Sequence, residues 1–156
     1  SGYLADIAKW WSENISADWL DLRSETYGIL QRDDTLKEIV KLLGPEALPD
    51  EEKLILEVAR MIKIGILQQN SFDDVYTYCS PEKQFKLMKL QVDFYNKGQQ
   101  ALKDGASLAD IRSMDVISLL LKARMDVKDD EMPKLDKIET DMAEQFKSIT
   151  GVKVQN

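Results

Sequence analysis

Apolar residues recur at helical spacing along almost the whole chain of 156 residues. An amphipathic helix places apolar residues at positions i, i+3, i+4 and i+7, whereas a half-buried strand alternates apolar and polar residues. We find no such alternation outside the C-terminal tail. The sequence therefore predicts an all-α fold, a compact bundle of about six to seven helices.

Capping residues indicate where the predicted helices begin and end. Ser16 fits the N-cap of the second helix, and Thr35 with Glu38 has the spacing of a capping box that opens a third. Gly44 and Pro45 end that helix, because glycine adopts the left-handed conformation and proline cannot continue a helix. Later helices are predicted to begin at Pro49, Ser80, Ser107 and Pro133, and Gly105 closes the one that begins at Ser80.

Each predicted helix has one apolar face that we expect to enter a common core. In chain order these faces are Tyr3, Ile7, Trp10 and Trp11; Trp19, Leu22, Ile29 and Leu30; Leu36, Ile39, Val40 and Leu43; Leu54, Val58, Met61, Ile62 and Ile66; Phe85, Met88, Val92 and Tyr95; Ile111, Met114, Ile117, Leu120 and Leu121; Leu135, Ile138, Met142 and Phe146. The length suits one domain, residues 1–150, and residues 151–156 are predicted to be a frayed tail.

Charge and composition exclude several classes of function. The chain has 28 acidic and 21 basic residues, a net charge of −7, which argues against nucleic acid or an anionic membrane as partner and favours a basic protein surface. Without histidine, His-based triads and His-ligated metal sites are excluded. Cys79 is the single cysteine, and we interpret it as a small buried apolar residue. We find no phosphate-binding glycine motif, predict no catalytic or metal-binding residue, and find no run apolar enough to cross a membrane.

Two segments carry patterns more specific than periodicity. In the first, residues 46–52, acidic residues fill a tight turn between two helices. An ordinary helical hairpin with a soluble tip has the same pattern. In the second, the polar run Gln68-Gln69-Asn70-Ser71 precedes Phe72 between two apolar helices. From the residues alone, this second segment is a capped loop with Phe72 packed in the core.

These segments resemble a known family. Residues 54–60, 67–73 and 78–84 are similar to the C-terminal helical domain of the catalytic A subunit of archaeal-type (A/V-type) rotary ATP synthases. The turn 46–52 resembles the acidic tip of the F-type β subunit, from which Ala47 and Pro49 depart. The resemblance covers about Tyr3 to Gly105, and beyond Gly105 it depends on helical pattern alone.

The resemblance implies two sites on this chain. One is the adenine side of a nucleotide site, with Phe72 as the aromatic residue and Gln69, Asn70 and Ser71 beside it. The other is a contact with the rotor at the acidic turn, formed by Glu46, Leu48, Asp50, Glu51 and Glu52.

The resemblance also implies a parent enzyme, an ATP-hydrolysing and ATP-synthesising, ion-translocating rotary ATPase. Its P-loop nucleotide-binding domain is absent from this chain, so we expect the chain alone to be inactive, to bind ATP or ADP weakly or not at all, and to meet Mg only through that domain. Expected partners are that domain, the B subunits and the central-stalk rotor subunits, with no nucleic acid and no direct membrane insertion. The expected location is cytoplasmic, peripheral on the cytoplasmic face of the membrane.

The alternative hypothesis is a free-standing acidic helical protein-interaction module that docks on a basic partner. The reading frame upstream of Tyr3 would distinguish the two, because only the ATPase requires a phosphate-binding loop there.

Overall fold

The computed structural model describes residues 2–68 and 79–154, with side chains to residue 151. Within these ranges the α-helices are α1 Gly2–Asn14, α2 Trp19–Leu43, α3 Asp50–Ile62, α4 Pro81–Lys103, α5 Leu108–Arg112, α6 Val116–Asp126 and α7 Pro133–Val154. A π-helical segment, Lys63–Leu67, continues α3, and 3₁₀ turns lie at Pro45–Ala47 and Asp129–Glu131. The described ranges contain no strand, and the predicted all-α fold is confirmed.

Helix α3 lies at the centre of the bundle, between α2 and α4. Its residues Leu54, Val58 and Ile62 are completely buried. On the other side of α4, the ring of Phe94 packs 5.3 Å from that of Phe146 on α7. None of the helices in the described part of the chain is long and apolar enough to cross a bilayer.

Three predicted helix boundaries are confirmed by their hydrogen bonds and backbone angles. Gly44 ends α2 with φ +84°. The Ser80 hydroxyl accepts the backbone N–H of Lys83 at 3.2 Å, which caps the start of α4. Ser107 and Asp110 form the reciprocal capping box of α5, at 3.0 and 3.4 Å. These signals are local, because each cap lies within four residues of the groups that it satisfies.

One predicted helix start is wrong, and one break between helices was missed. No helix begins at Thr35, because α2 runs unbroken from Trp19 to Leu43 and the Thr35 hydroxyl donates to the Gln31 carbonyl at 3.3 Å, as in a helix interior. The helix predicted after Ser107 is divided into α5 and α6 around Met114. Glu38, the other half of the predicted capping box, also lies inside α2.

The start of α2 and the path of α1 also differ from expectation. The N-cap of α2 is Asp18, and Ser16 lies two residues earlier, where its hydroxyl accepts the Asp18 N–H at 3.1 Å. No side chain of α1 is buried, although its apolar face was predicted to enter the core. The helix packs on α2 by stacking Trp11 on Trp19, with ring centroids 5.4 Å apart.

The final helix carries its predicted core face inward. Leu135, Ile138, Met142 and Phe146 are all buried against the rest of the bundle. Lys86 of α4 contacts Glu139 of α7 at 2.9 Å, which adds a polar link between the same two helices. The backbone of α7 continues beyond Gly151, where we predicted a frayed tail, and ends at Val154.

Candidate functional site

The acidic turn predicted as a rotor contact lies between α2 and α3 and is fixed by backbone geometry. Gly44 has φ +84°, a conformation that L-residues with side chains rarely adopt, and the 3₁₀ turn Pro45–Ala47 follows at once. Leu48 then turns inward and is only 5% exposed. It was predicted at the contact surface, and in the structure its side chain is buried rather than exposed.

The acidic side chains of the turn differ in their partners. Glu46 is 91% exposed and lies 3.3 Å from the ammonium of Lys53. Glu52 lies 3.4 Å from the guanidinium of Arg32 on α2. Both pairs are partly solvated, so each contributes only about 0–1 kcal/mol to stability. Asp50 and Glu51 are exposed in the first turn of α3, where the positive end of the helix dipole favours acidic groups.

Two adjacent leucines form the apolar part of this tip, and the sequence did not indicate them. Leu42 is 84% exposed and Leu43 is 71% exposed, although Leu43 was predicted as a core residue. Both belong to the last turn of α2, which extends past the buried layer that ends near Leu36. We call Leu42, Leu43, Glu46, Asp50 and Glu51 the tip surface.

The predicted adenine-side residues Gln69, Asn70, Ser71 and Phe72 lie outside the described residues. The structure describes the chain on both sides of them. The preceding chain is the π-helical segment, where the Gln68 N–H donates to the Lys63 carbonyl at 2.7 Å. The following chain is Cys79, Ser80 and the start of α4.

The end of the π-helical segment is held by a side chain from α6. The Arg124 guanidinium donates through Nη1 to the Ile66 carbonyl at 2.7 Å and approaches the Gln68 carbonyl at 3.4 Å. Carbonyls at the end of a helix have no partner within the helix, so an external donor satisfies them. Gly65 allows the π-helical segment to pack closely on α6, because a Cβ atom there would lie 3.0 Å from the Leu120 carbonyl of α6.

The start of the same segment is held from α2 and α4. The Lys63 ammonium lies 2.7 Å from the Asp33 carboxylate, which is 1% exposed, and Lys37 contacts that carboxylate at 3.0 Å. The hydrogen bond to Asp33 raises the pKa of Lys63. The buried amide of Gln91 donates to the Met61 carbonyl at 3.3 Å. Side chains from three helices therefore fix this segment.

An apolar groove of about 270 Å³ opens beside the end of the π-helical segment. In its lining, the Arg23 guanidinium lies over the Tyr27 ring, 4.5 Å from the ring centroid, in a cation–π contact. The groove is formed by α1, α2, the π-helical segment and α4, through Trp11, Trp19, Arg23, Thr26, Tyr27, Leu30, Leu67, Gln84, Phe85 and Met88.

Cys79, which was predicted to be buried, is only partly buried, and its thiol is held against the start of α4. Burial raises its pKa, and its Sγ lies 3.7 Å from the Ser80 carbonyl. A thiol with a raised pKa carries little thiolate at neutral pH. In the described part of the chain no three His, Cys, Asp or Glu side chains are grouped so as to hold a metal ion.

Comparison with known proteins identifies a consistent set of relatives. Residues 8–112 match the family model described as the C-terminal domain of V and A type ATP synthase. The chain is 43% identical to the A subunit of the A-type ATP synthase from Hyperthermus butylicus, over 98% of its own length and 26% of the relative's. It is 43% identical to the corresponding protein of Methanopyrus kandleri over 94% of its length and 25% of the relative's.

A relative from Sulfolobus acidocaldarius, the A subunit of another A-type ATP synthase, is 40% identical over 96% of this chain and 26% of its own length. The chain thus spans about a quarter of the relatives it matches. The matches to these relatives extend well beyond residue 112, where the family model ends.

Proposed function

Because the chain belongs to the family of C-terminal domains of V- and A-type ATP synthases, we propose that it is that domain of the catalytic A subunit of a rotary ATPase. The observation that carries the proposal is the identity of 43%, over 98% of the chain, to a relative of which it covers 26%. The remainder of such a protein would supply the P-loop nucleotide-binding domain and, with it, the Mg site and the chemistry.

In this assignment the chain acts through the domain and the subunits that it contacts. Its partners are the nucleotide-binding domain of the same polypeptide, the B subunits and the central-stalk rotor, on the cytoplasmic face of the membrane. The whole complex would couple hydrolysis or synthesis of ATP to rotation and ion transport. The chain alone is inactive, because its part is to complete the adenine side of the nucleotide site and to move the rotor.

For the adenine side, we assign the base contact to Phe72, with Gln69, Asn70 and Ser71 beside it. An aromatic ring stacked on a base contributes about 1–3 kcal/mol, and amide groups can hydrogen-bond the edge of adenine. That contribution alone gives weak binding, since millimolar affinity already corresponds to about 4 kcal/mol. Support comes from the flanking chain, which Arg124 and Asp33 hold firmly at the π-helical segment.

Titration with a fluorescent ATP analogue tests this assignment. We expect the chain alone to bind only weakly, and Phe72→Ala in the complete catalytic polypeptide to weaken ATP binding about 10-fold, the equivalent of about 1.4 kcal/mol. Tyr3→Ala is the matched control, because Tyr3 is 79% exposed on α1 and outside the proposed site. Micromolar binding by the chain alone that survives Phe72→Ala would refute the assignment.

For movement of the rotor, we propose that the tip surface pushes by its shape more than by its charge. The turn is restrained, because Pro45 fixes its own φ at the start of the 3₁₀ turn and Leu48 is packed inward. Exposed ion pairs with a basic rotor would contribute only about 0–1 kcal/mol each. Leu42 and Leu43 offer apolar area that a rotor helix can cover.

Single-molecule rotation of the assembled complex separates charge from shape. Replacing Glu46, Asp50, Glu51 and Glu52 by their amides should reduce ATP-driven torque only modestly, since each exposed ion pair contributes about 0–1 kcal/mol. Leu42→Ser with Leu43→Ser should reduce it further, while Leu119→Ser on α6, which is 42% exposed, serves as the control. Complete loss of rotation in the amide variant would show instead that charge drives the contact.

A further inference from the structure

Helix α1 has an apolar face that the described part of the chain leaves largely uncovered. Tyr3, Ile7 and Trp10 are spaced i, i+4 and i+7, so they share one side of the helix. Tyr3 is 79% exposed and Trp10 is 47% exposed, and α1 contains no buried residue. We call Tyr3, Ile7 and Trp10 the α1 face.

The attachment of α1 to the bundle uses a neighbouring side of the helix. Trp11 stacks on Trp19 of α2, with ring centroids 5.4 Å apart, and Trp10 makes a T-shaped contact with Trp11 at 5.6 Å. The charged residues of α1 lie on a third side: Asp6, Lys9 and Glu13. The α1 face therefore lies between the side packed on α2 and the side suited to water.

Packing on α2 alone gives α1 little stability. The helix has 13 residues, and isolated helices shorter than about 12–15 residues are marginal in water without the packing of an apolar face. Since an aromatic side chain can bury about 200 Å², the exposed parts of Tyr3 and Trp10 offer on the order of 250 Å². Tryptophan and tyrosine are also the residues that most often anchor protein interfaces. The α1 face thus has the chemistry of a protein contact.

The size of the α1 face indicates the kind of partner. Two copies of this chain meeting through it would bury about 500 Å², whereas stable interfaces between separate proteins bury about 1,200–2,000 Å². A domain of the same polypeptide needs less area, because a short linker gives an effective concentration in the millimolar range. The chain matches a C-terminal domain and spans about a quarter of its relatives, so most of the rest of such a polypeptide precedes it and joins it at α1.

We propose that the α1 face docks on the domain that precedes this chain in the complete catalytic polypeptide, with the Trp10 ring as its anchor. The inference rests on the proposed function, which supplies that domain, and adds the surface through which the two are joined. Helix α1 then packs on the preceding domain through Trp10 and on α2 through Trp11. It connects the two bodies by side-chain packing as well as by the covalent chain.

Hydrogen exchange of the α1 amides tests the proposal without any substitution. Mass spectrometry compares the wild-type chain alone with the complete catalytic polypeptide, and peptides of α4, which has buried residues along its length, are the internal reference. We expect α1 to exchange at least about 10-fold more slowly in the complete polypeptide, because its opening then also requires undocking, while α4 changes little. Equal exchange of α1 in both proteins, or an equal slowing of α1 and α4, would overturn the inference.

Substitutions in the complete polypeptide identify the side chains responsible. Trp10→Ala with Tyr3→Ala should return the exchange of α1 to the rate in the chain alone, whereas Tyr3→Ala by itself keeps the anchor and most of the protection. The matched control is Tyr27→Ala with Met125→Ala, because these side chains are 50% and 52% exposed on α2 and α6. The control should leave α1 protected. Protection that persists in the Trp10 and Tyr3 double variant would overturn the proposal.

Other occupants of the α1 face give different results. Protection in the chain alone that grows over an approximately 100-fold rise in concentration would identify a second copy. Protection that appears only in the assembled complex would identify another subunit, and either result would overturn the inference. ATP hydrolysis by the same complex separates the two proposals. If the complex hydrolyses ATP while α1 exchanges equally in the chain and in the complete polypeptide, the docking fails and the proposed function stands; if a complex containing this chain has no such activity, the proposed function fails.

Discussion

Gly65 and Gly28 are glycines in helical segments for which the structure predicts opposite responses to alanine. Either substitution gains helix propensity, because alanine is favoured over glycine in a helix by about 1 kcal/mol. Gly28 lies on the exposed side of α2, and a Cβ there would meet no atom within 4 Å. We therefore expect Gly28→Ala to raise the free energy of unfolding by about 0.5–1 kcal/mol.

At Gly65 the same methyl group enters a closed contact between the π-helical segment and α6. A Cβ would lie 3.0 Å from the backbone carbonyl of Leu120 and 3.0 Å from Nε2 of Gln91. The carbonyl can withdraw only if α6 shifts, and the amide can withdraw only by weakening its hydrogen bond to Met61. Overpacking of this kind costs about 1–3 kcal/mol, which exceeds the gain in propensity. The expected net effect of Gly65→Ala, which is that cost less the gain of about 1 kcal/mol, is a loss of up to about 2 kcal/mol.

Urea unfolding of the chain, followed by circular dichroism, measures both variants on one scale. The two should differ by about 2 kcal/mol, which corresponds to melting temperatures about 4–8 °C apart for a domain of this size. Gly98→Ala is informative as a third variant, because its Cβ would meet only the side chain of Leu54, at 3.0 Å. It should fall between the other two. If Gly65→Ala were as stable as Gly28→Ala, the close packing of the π-helical segment on α6 would be refuted.

Two further predictions concern titratable groups. The raised pKa of Lys63 means that its pairing with Asp33 stabilises the fold below the ordinary lysine pKa of 10.5 and that this contribution is lost as pH rises through the higher folded value. Urea unfolding at pH 7 and pH 11 should therefore show Lys63→Met less stable than the wild type at pH 7, with a smaller difference at pH 11; an equal difference at both would contradict the pairing. Partial burial raises the pKa of Cys79, so iodoacetamide at pH 8 should alkylate it more slowly in the folded chain than in urea, and equal rates would contradict that effect of burial.

The parts of the fold that the sequence predicted well are those decided by neighbours in the chain. The caps at Ser80 and Ser107 and the end of α2 at Gly44 are each made within a few residues, so their signals are visible in the sequence. The break between α5 and α6 is different. The first N–H of α6, at Val116, is accepted by Gln145 of α7 at 3.0 Å, and nothing near Val116 in the sequence indicates that partner.

The same division applies to the candidate site. The polar run before Phe72 is visible in the sequence. The contacts that fix the preceding π-helical segment are not, because they come from other helices: Arg124 donates to the Ile66 carbonyl, and Asp33 pairs with Lys63. In the sequence, Arg124 and Asp33 are single charged residues within amphipathic helices. They cannot be distinguished there from charged residues that face solvent. Their role follows only from the packing that brings α2 and α6 against one segment.

The tip surface shows why periodicity misjudged exposure there. Leu36 and Leu43 are seven residues apart and share a helix face, yet Leu36 is completely buried and Leu43 is 71% exposed. The period of a sequence gives the direction of a side chain around the helix axis, but not the point at which the helix passes beyond its neighbours. Helix α2 passes that point in its last turn, and the chain returns inward at Leu48. A tip built in this way presents apolar bulk beside its carboxylates, and this is why we attribute its proposed push on the rotor to shape.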